Sequence, residues 1–242
     1  GDVDIFEKRL SMFSSSKYAI GVGNATDGLE ISWMALNLRQ GDEVICCSHT
    51  MLATASAIKV AGGIPIPVEI GYDNLIDPDA IENAITSRTV GIMPTQLNGR
   101  TCDMERIMQI ANKYKLYVVE DAAQALGSKF KGKNAGTFGH ASAISFFPAK
   151  VLGCFGDAGA ILCQDDTIFD RAYQLHDHGR DKDGNVKSWG RNSRLDNLQA
   201  AILNFNLSSY ENVIQRRREI ASIYYSKLSI LEELKLPEPP MD

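Results

Sequence analysis

Two residues able to do chemistry stand at the ends of two apolar, strand-like runs. Asp121 ends the run that begins at Val118, and Lys150 closely follows the run that begins at Ala143. Ligands of open α/β sheets bind outside the carboxyl ends of the strands, so we expect both side chains to face one pocket.

A lysine and a carboxylate in one pocket, with a hydroxyl nearby, are what pyridoxal phosphate requires. Lys150 would form the Schiff base, and Asp121 would keep the pyridine nitrogen protonated. Ser145 supplies the hydroxyl five residues before the lysine, and the Gln124 amide could bond the ring hydroxyl if a helical turn follows the strand. Each residue alone has a simpler explanation, such as an exposed lysine, a surface amide or a helix-capping aspartate.

A turn of small residues supplies a candidate phosphate site. Residues 23–26 lie between a short strand and a helix, so that free N–H groups and the helix dipole point the same way. An ordinary N-cap at Asn24 or Thr26 explains the same pattern. The G-x-G-x-x-G pattern is absent, which argues against a dinucleotide-binding oxidoreductase.

The composition limits the class of protein. Apolar residues make up 44% and charged residues 23% of the 242 residues, as in soluble globular proteins, and the net charge of −5 offers no basic surface to nucleic acid. No run approaches the roughly 18 apolar residues of a membrane span, and no signal-peptide pattern is recognisable. The five scattered cysteines form no C-x-x-C pair and predict neither a metal site nor a disulfide framework. Reduced thiols are typical of cytoplasmic proteins, so we expect a cytoplasmic protein.

Strand-like and helical segments alternate along the chain. This pattern predicts an α/β fold with three layers, α/β/α, around a mainly parallel sheet. We expect one large cofactor-binding domain over residues 1–235, which includes a long linking helix at about 195–231. Proline-rich residues 236–242 would be a linker into a small C-terminal domain that is missing here. The polar loop at 179–190 is long enough to be functional.

Several segments together carry a more specific signal, because they occur in a known order and spacing. They resemble the DegT/DnrJ/EryC1/StrS family of sugar aminotransferases, within the aspartate-aminotransferase fold type (fold type I). The matching segments are residues 23–29, 41–45, 48–50, 119–124, 145–150, 156–159 and 192–201.

This resemblance implies a pyridoxal 5'-phosphate enzyme and assigns roles to single residues. Lys150 would hold the cofactor, Asp121 would meet the pyridine nitrogen, and Gln124 would lie near the ring oxygen. Lys150 and Asp121 would therefore be the catalytic residues, and no metal is implied.

The resemblance also implies a phosphate site that two subunits share. Ser145 and the backbone amides of Thr26 and Asp27 would bind the phosphate of their own subunit. Asn192 would reach the phosphate of the neighbouring subunit, with the loop at 179–190 crossing the interface of a homodimer. The alternative for Asn192 is an asparagine that serves its own turn.

The chain departs from the family pattern at several positions. In the phosphate turn, this chain has Ala25 where the family commonly has glycine, and Gly28 where the family commonly has alanine. Where many members stack an aromatic residue on the cofactor ring, this chain has Met51, whose thioether can pack on a ring, and His49 is the alternative. Gln96 replaces a common histidine.

The function implied is an aminotransferase that moves an amino group from an amino acid, expected to be glutamate, to a nucleotide-linked keto-hexose. Such enzymes serve amino-sugar and surface polysaccharide (lipopolysaccharide) biosynthesis. The alternatives are another reaction of the same cofactor and a non-catalytic or regulatory homologue. Lys150 argues against the family's sugar 3-dehydratases, which carry histidine at that position. The sequence identifies neither the nucleotide nor the keto position.

Overall fold

A seven-stranded sheet forms the centre of the chain in a computed structural model that describes residues 1–237. Its strands are β1 (Tyr18–Val22), β2 (Glu43–Cys47), β3 (Ile64–Val68), β4 (Thr89–Met93), β5 (Tyr117–Asp121), β8 (Ala141–Ser145) and β9 (Gly159–Cys163), and a separate small hairpin contains β6 (Lys129–Phe130) and β7 (Lys133–Asn134). The helices are α1 (Asp2–Ser14), α2 (Ala25–Ala35), α3 (Leu52–Val60), α4 (Pro78–Asn83), α5 (Met104–Tyr114), α6 (Asp166–His176), α7 (Asn197–Leu207) and α8 (Tyr210–Leu228), with a 3-10 turn at Leu97–Gly99.

The strand order is β1-β9-β8-β5-β4-β2-β3, and every strand except β9 runs in the same direction. The reversal of β9 has a simple cause. Parallel neighbours need a crossover, usually a helix, whereas residues 146–158 between β8 and β9 contain no helix and return the chain antiparallel. This irregular connection carries Lys150. The mainly parallel sheet predicted from the sequence is therefore confirmed.

Helices cover both faces of the sheet, as expected for three layers. On one face, α2 and α6 pack on side chains such as Ile20, Val119 and Ile161. On the other face, one cluster joins α1 and α7 around Phe6, and a second joins α4 and α5 around Ile107. The strands bury side chains on both faces, which explains their continuous apolar runs.

The long helix expected at about 195–231 is wrong in its bounds, because two helices occupy that range. Leu195 is not helical, since its N–H donates to the Gly21 carbonyl beside β1. α7 ends at Leu207, where the Ser208 hydroxyl bonds the Phe205 carbonyl, and α8 begins at Tyr210. Serine hydroxyls that bond nearby carbonyls compete with the helical pattern at such a break.

Two other expectations concern membrane spans and the linker. No helix among residues 1–237 is long and apolar enough to cross a membrane. The linker expected at 236–242 has five of its seven residues, 238–242, outside the described residues.

Gly91 in β4 shows how closely α2 approaches the sheet. A Cβ atom at this position would lie 2.4 Å from the Trp33 ring of α2 and 3.0 Å from the Tyr117 carbonyl oxygen of β5. Trp33 is fully buried, and its indole N–H points at the sulfur of Met93. A side chain on Gly91 therefore has no room unless the helix moves.

We expect Gly91→Ala to lower the free energy of unfolding by about 1–3 kcal/mol, the usual effect of overpacking a core. Gly71→Ala is the matched control, because the nearest atom to its new Cβ is a carboxylate oxygen of Asp73 at 3.1 Å, at the end of a side chain and not in the backbone or a buried ring. Urea unfolding of both variants measures the difference, and equal stability of the two would contradict the described packing of Trp33 on β4.

Candidate active site

Asp121 lies at the carboxyl end of β5 with its side chain almost fully buried. Only 5% of the residue is exposed. One carboxylate oxygen accepts a hydrogen bond from the Thr54 hydroxyl at 2.6 Å, and the other accepts from the Ala123 N–H at 3.2 Å. The strand end therefore presents a carboxylate that is fixed in orientation by donors from two elements.

Burial raises the pKa of Asp121 above its ordinary value, because a charge in a poorly solvated site is disfavoured. The hydrogen bonds from Thr54 and Ala123 and the positive charge of Lys150 act in the opposite direction. A further cation at this carboxylate would favour its ionised form. The electrostatics of Asp121 thus fit a cationic partner such as a protonated pyridine nitrogen.

Lys150 belongs to the connection between β8 and β9, which leaves the sheet at the same end as Asp121 because β5 and β8 are parallel. The backbone N–H of Lys150 donates to the Phe147 carbonyl at 2.8 Å, which closes a turn after β8. Further hydrogen bonds join Phe146 to Ala158 and Cys154 to Phe146, so both ends of the connection are anchored. The lysine is partly buried, and its charge is close enough to act on Asp121.

The candidate phosphate turn lies directly on the start of β9. A Cβ atom on Gly159 would be 2.6 Å from the Asn24 carbonyl carbon and 2.7 Å from the Ala25 nitrogen, so only glycine permits this approach. Ser145 pairs with Gly159 in the sheet. The fold therefore brings Ser145 and the first turn of α2 together, although 119 positions (26 to 145) separate Thr26 from Ser145.

One expected phosphate ligand already has a partner within the chain. The Asp27 N–H donates to the Asn24 side-chain oxygen at 2.8 Å, which is ordinary N-capping. A phosphate at this turn would have to share or displace that hydrogen bond. The first turn of α2 thus combines the two interpretations that the sequence left open.

The residues expected around the cofactor ring differ in their surroundings. Gln124 lies in a turn rather than a helix, and its carbonyl oxygen accepts from the Asn98 N–H at 2.9 Å, which leaves its NH2 group as the available donor. Met51 precedes α3 and is 67% exposed. His49 is exposed, with its Nδ1 3.2 Å from the Asn74 carbonyl. Any stacking by Met51 or His49 stays a prediction.

Glu120 points away from Asp121 and has a structural role. Its carboxylate accepts hydrogen bonds from the backbone N–H groups of Gly136, Phe138 and Gly139 and from the Gln96 amide at 2.8 Å. Burial raises the pKa of Glu120, and these four donors oppose that shift. Gln96, which takes the place of a histidine common in the family, thus ties β4 to the segment at 136–139.

Asn192 lies on a segment that runs along the edge of the sheet beside β1. Arg194 forms an antiparallel bridge with Val22, and the Gly23 N–H donates to the Ser193 carbonyl at 3.0 Å. The Asn192 side chain is exposed, and its oxygen accepts from the Arg194 guanidinium at 3.2 Å. The amide nitrogen of Asn192 therefore points to no described acceptor in residues 1–237.

Side chains that no sequence pattern singled out hold Asn192 in place. Arg191 forms a two-pronged ion pair with the buried Glu30 of α2 and lies 3.6 Å from Asp27. The Ser193 hydroxyl donates to Asp27 at 2.6 Å. Arg191 and Ser193 flank Asn192, whereas Glu30 lies 161 positions earlier than Arg191, and no local pattern could reveal that pairing.

Two surface grooves, of about 410 and 730 Å³, lie on the hairpin side and along α8, and neither is lined by Asp121 or Lys150. Met51, Phe147 and Phe155 are among the large apolar side chains that are exposed in the described residues.

A family model and a curated relative both match nearly the whole chain. The model of the DegT/DnrJ/EryC1/StrS aminotransferase family matches residues 1–242. A curated relative, the dTDP-3-amino-3,6-dideoxy-alpha-D-galactopyranose transaminase of Aneurinibacillus thermoaerophilus, is 44% identical over 238 residues, or 98% of this chain and 64% of that protein. The chain thus spans less than two thirds of this relative.

Solved structures are similar over nearly the whole chain. The crystal structure of DesV from Streptomyces venezuelae, in complex with a ketimine intermediate, superposes with a TM-score of 0.96 at 36% identity, covering 100% of this chain and 66% of that one. The structure of NtdA from Bacillus subtilis with bound cofactor PMP has a TM-score of 0.89 at 37% identity and covers 99% and 56%.

The Arg191–Glu30 ion pair allows a direct test of how the Asn192 segment is held. We expect a double-mutant cycle with Arg191→Ala and Glu30→Ala to give a coupling free energy of about 1–3 kcal/mol, because Glu30 is buried and Arg191 partly so. Urea unfolding of the four proteins measures it. The exposed pair of Arg106 and Asp79 serves as control and should give less than about 1 kcal/mol. Equal coupling in both pairs would contradict the anchoring role.

Proposed function

The chain belongs to the DegT/DnrJ/EryC1/StrS aminotransferase family, and we propose that it binds pyridoxal 5'-phosphate and transfers an amino group from an amino acid to a nucleotide-linked keto-sugar. The observation that carries this proposal is the buried Asp121 carboxylate at the end of β5, with the charge of Lys150 acting on it. A pyridine nitrogen and an aldehyde on one small molecule match that pair of groups.

The residues present fit this cofactor. Asp121 would hold the protonated ring nitrogen, and Lys150 would attach the cofactor covalently through Nζ. Ser145 and the Thr26 amide at the first turn of α2 would bind the phosphate, where the helix dipole favours an anion. The free NH2 group of Gln124 would donate to the ring oxygen, and Met51 would pack near the ring.

When bound, pyridoxal phosphate supplies an electron sink for the charge that develops on the substrate carbon. The chain's own residues would supply the proton transfers and the orientation. Lys150 Nζ, once released, would carry the proton to and from that carbon. Asp121 would keep the ring nitrogen protonated, because a carboxylate favours the neighbouring cation.

The substrates and the assembly are part of the same proposal. The transaminase from Aneurinibacillus thermoaerophilus is named for a dTDP-linked amino sugar, which supports a nucleotide sugar as acceptor. We propose glutamate as the donor and a cytoplasmic homodimer in which Asn192 completes the partner's phosphate site. Residues 1–235 would form the cofactor-binding domain, and 236–242 would lead into a further domain.

Pyridoxal phosphate added to the purified chain should produce a visible absorbance band that borohydride removes. Lys150→Ala should lose that band, because no amine remains to attach the cofactor, whereas Lys131→Ala at an exposed position should keep it. Absorbance spectra and mass spectra after borohydride treatment measure the attachment. A chain that binds no cofactor at all would sink the enzyme hypothesis.

Glutamate tests the transfer chemistry. Adding glutamate to the protein loaded with pyridoxal phosphate should abolish the visible band. It should also release one molecule of 2-oxoglutarate for each bound cofactor. A band that persists with every amino acid tried would favour the alternative of a non-catalytic or regulatory homologue.

A further inference from the structure

Three threonine hydroxyls form a continuous line of hydrogen bonds that ends on the Asp121 carboxylate. The Thr95 hydroxyl lies 3.0 Å from that of Thr50, and the Thr50 hydroxyl lies 2.6 Å from that of Thr54. Thr54 donates to Asp121 Oδ2 at 2.6 Å. The line therefore crosses from the segment after β4, through the loop after β2 and the first turn of α3, to the end of β5.

The direction of every hydrogen bond in the line follows from the charge at its end. An ionised carboxylate can only accept, so the single hydrogen of Thr54 points to Asp121. Thr50 must then donate to Thr54, and Thr95 must donate to Thr50. Each hydroxyl thus polarises the next toward the carboxylate, and the order has no second arrangement while Asp121 is charged.

The backbone holds this line in place. Thr95 forms a parallel bridge with Asp121, and the Asp121 N–H donates to the Pro94 carbonyl at 2.9 Å. Thr54 is fully buried, and its N–H donates to the Met51 carbonyl at 3.1 Å. Buried hydroxyls are shielded from water, so a lost donor cannot easily be replaced.

The charged groups near Asp121 do not replace the hydrogen bond that Thr54 donates to it. Lys150 acts on the carboxylate through its charge, whereas Glu120 points to the opposite side and is bound by Gln96 and the segment at 136–139. Beyond the Ala123 N–H, Thr54 is the donor that contacts the Asp121 side chain among residues 1–237.

We propose that Thr95, Thr50 and Thr54 form a positioning chain that keeps the Asp121 carboxylate charged and aimed at the ring nitrogen of the cofactor. This inference rests on the proposed function, because it assigns Asp121 to that nitrogen. In this proposal the three threonines do not touch the reacting atoms, and each acts through Asp121.

The test compares Thr54→Val and Thr50→Val with the matching serine variants. Valine keeps the shape but removes the hydroxyl, so pyridoxal phosphate should bind about tenfold more weakly to Thr54→Val and about threefold more weakly to Thr50→Val. The serine variants should bind within about twofold of the unsubstituted chain. Equilibrium dialysis of the cofactor-free proteins measures the dissociation constants, and thermal unfolding shows that each variant is folded.

The pH dependence of binding separates the proposed chain from a general loss of structure. Removing a donor to the ionised form raises the pKa of Asp121, so the acid limb of cofactor binding should move to higher pH in both valine variants. Thr89→Val is the matched control, because Thr89 is buried at the opposite end of β4 and its hydroxyl accepts from the Thr86 N–H. Its affinity and pH profile should match those of the unsubstituted chain.

Each outcome decides between the possibilities. Thr50 lies at a partly exposed bend outside the helices and strands, so Thr50→Val is the variant less exposed to a folding defect. If Thr50→Val binds pyridoxal phosphate like the unsubstituted chain at every pH, the proposed role of Thr50 is overturned, even when Thr54→Val fails to fold. If neither valine variant changes the pH profile, the whole assignment fails while the proposed function stands. If the unsubstituted chain binds no pyridoxal phosphate, the proposed function fails, and this inference fails with it.

Discussion

A carboxylate removed from water at the end of β5 is the constraint around which the rest of this structure is arranged. Burying Asp121 is unfavourable unless donors and opposite charge offset the lost hydration. The Thr54 hydroxyl, the Ala123 N–H and the charge of Lys150 all act on that single group. The pKa of Asp121 nonetheless stays raised, because burial outweighs these donors and this charge, and a neighbouring cation would favour its ionised form.

The reversal of β9 brings the remaining groups to that carboxylate. Because the connection from β8 to β9 has no helix, it stays at the carboxyl end of β8 and holds Lys150 there. The same reversal places Gly159 at that end of the sheet, directly under the first turn of α2. One change of strand direction thus joins the lysine, Ser145 and the anion-binding end of a helix.

The segment around Asn192, at the β1 edge of the sheet, is connected to the candidate phosphate site. The segment around Asn192 is fastened to α2 by Arg191 and Ser193, so its position depends on the helix whose first turn would bind phosphate. Desolvation offsets much of the attraction in a largely buried ion pair, so its net contribution to stability is small, whereas the loss of one partner leaves an unpaired buried charge. In a homodimer of the proposed kind, each subunit would thereby couple its own phosphate turn to the residue that it offers to its partner.

The sequence by itself determined the family and the layered fold, because apolar runs, alternating elements and ordered motifs are local patterns, and both were confirmed. Its patterns also singled out Lys150 and Asp121, since each follows a strand-like run. Only the tertiary structure decided which distant side chains meet. The Glu30–Arg191 pair and the hydroxyl line from Thr95 to Asp121 depend on contacts between separate elements. Such contacts leave no periodic trace along the chain, and the physical reason is that packing, rather than local propensity, brings their partners together.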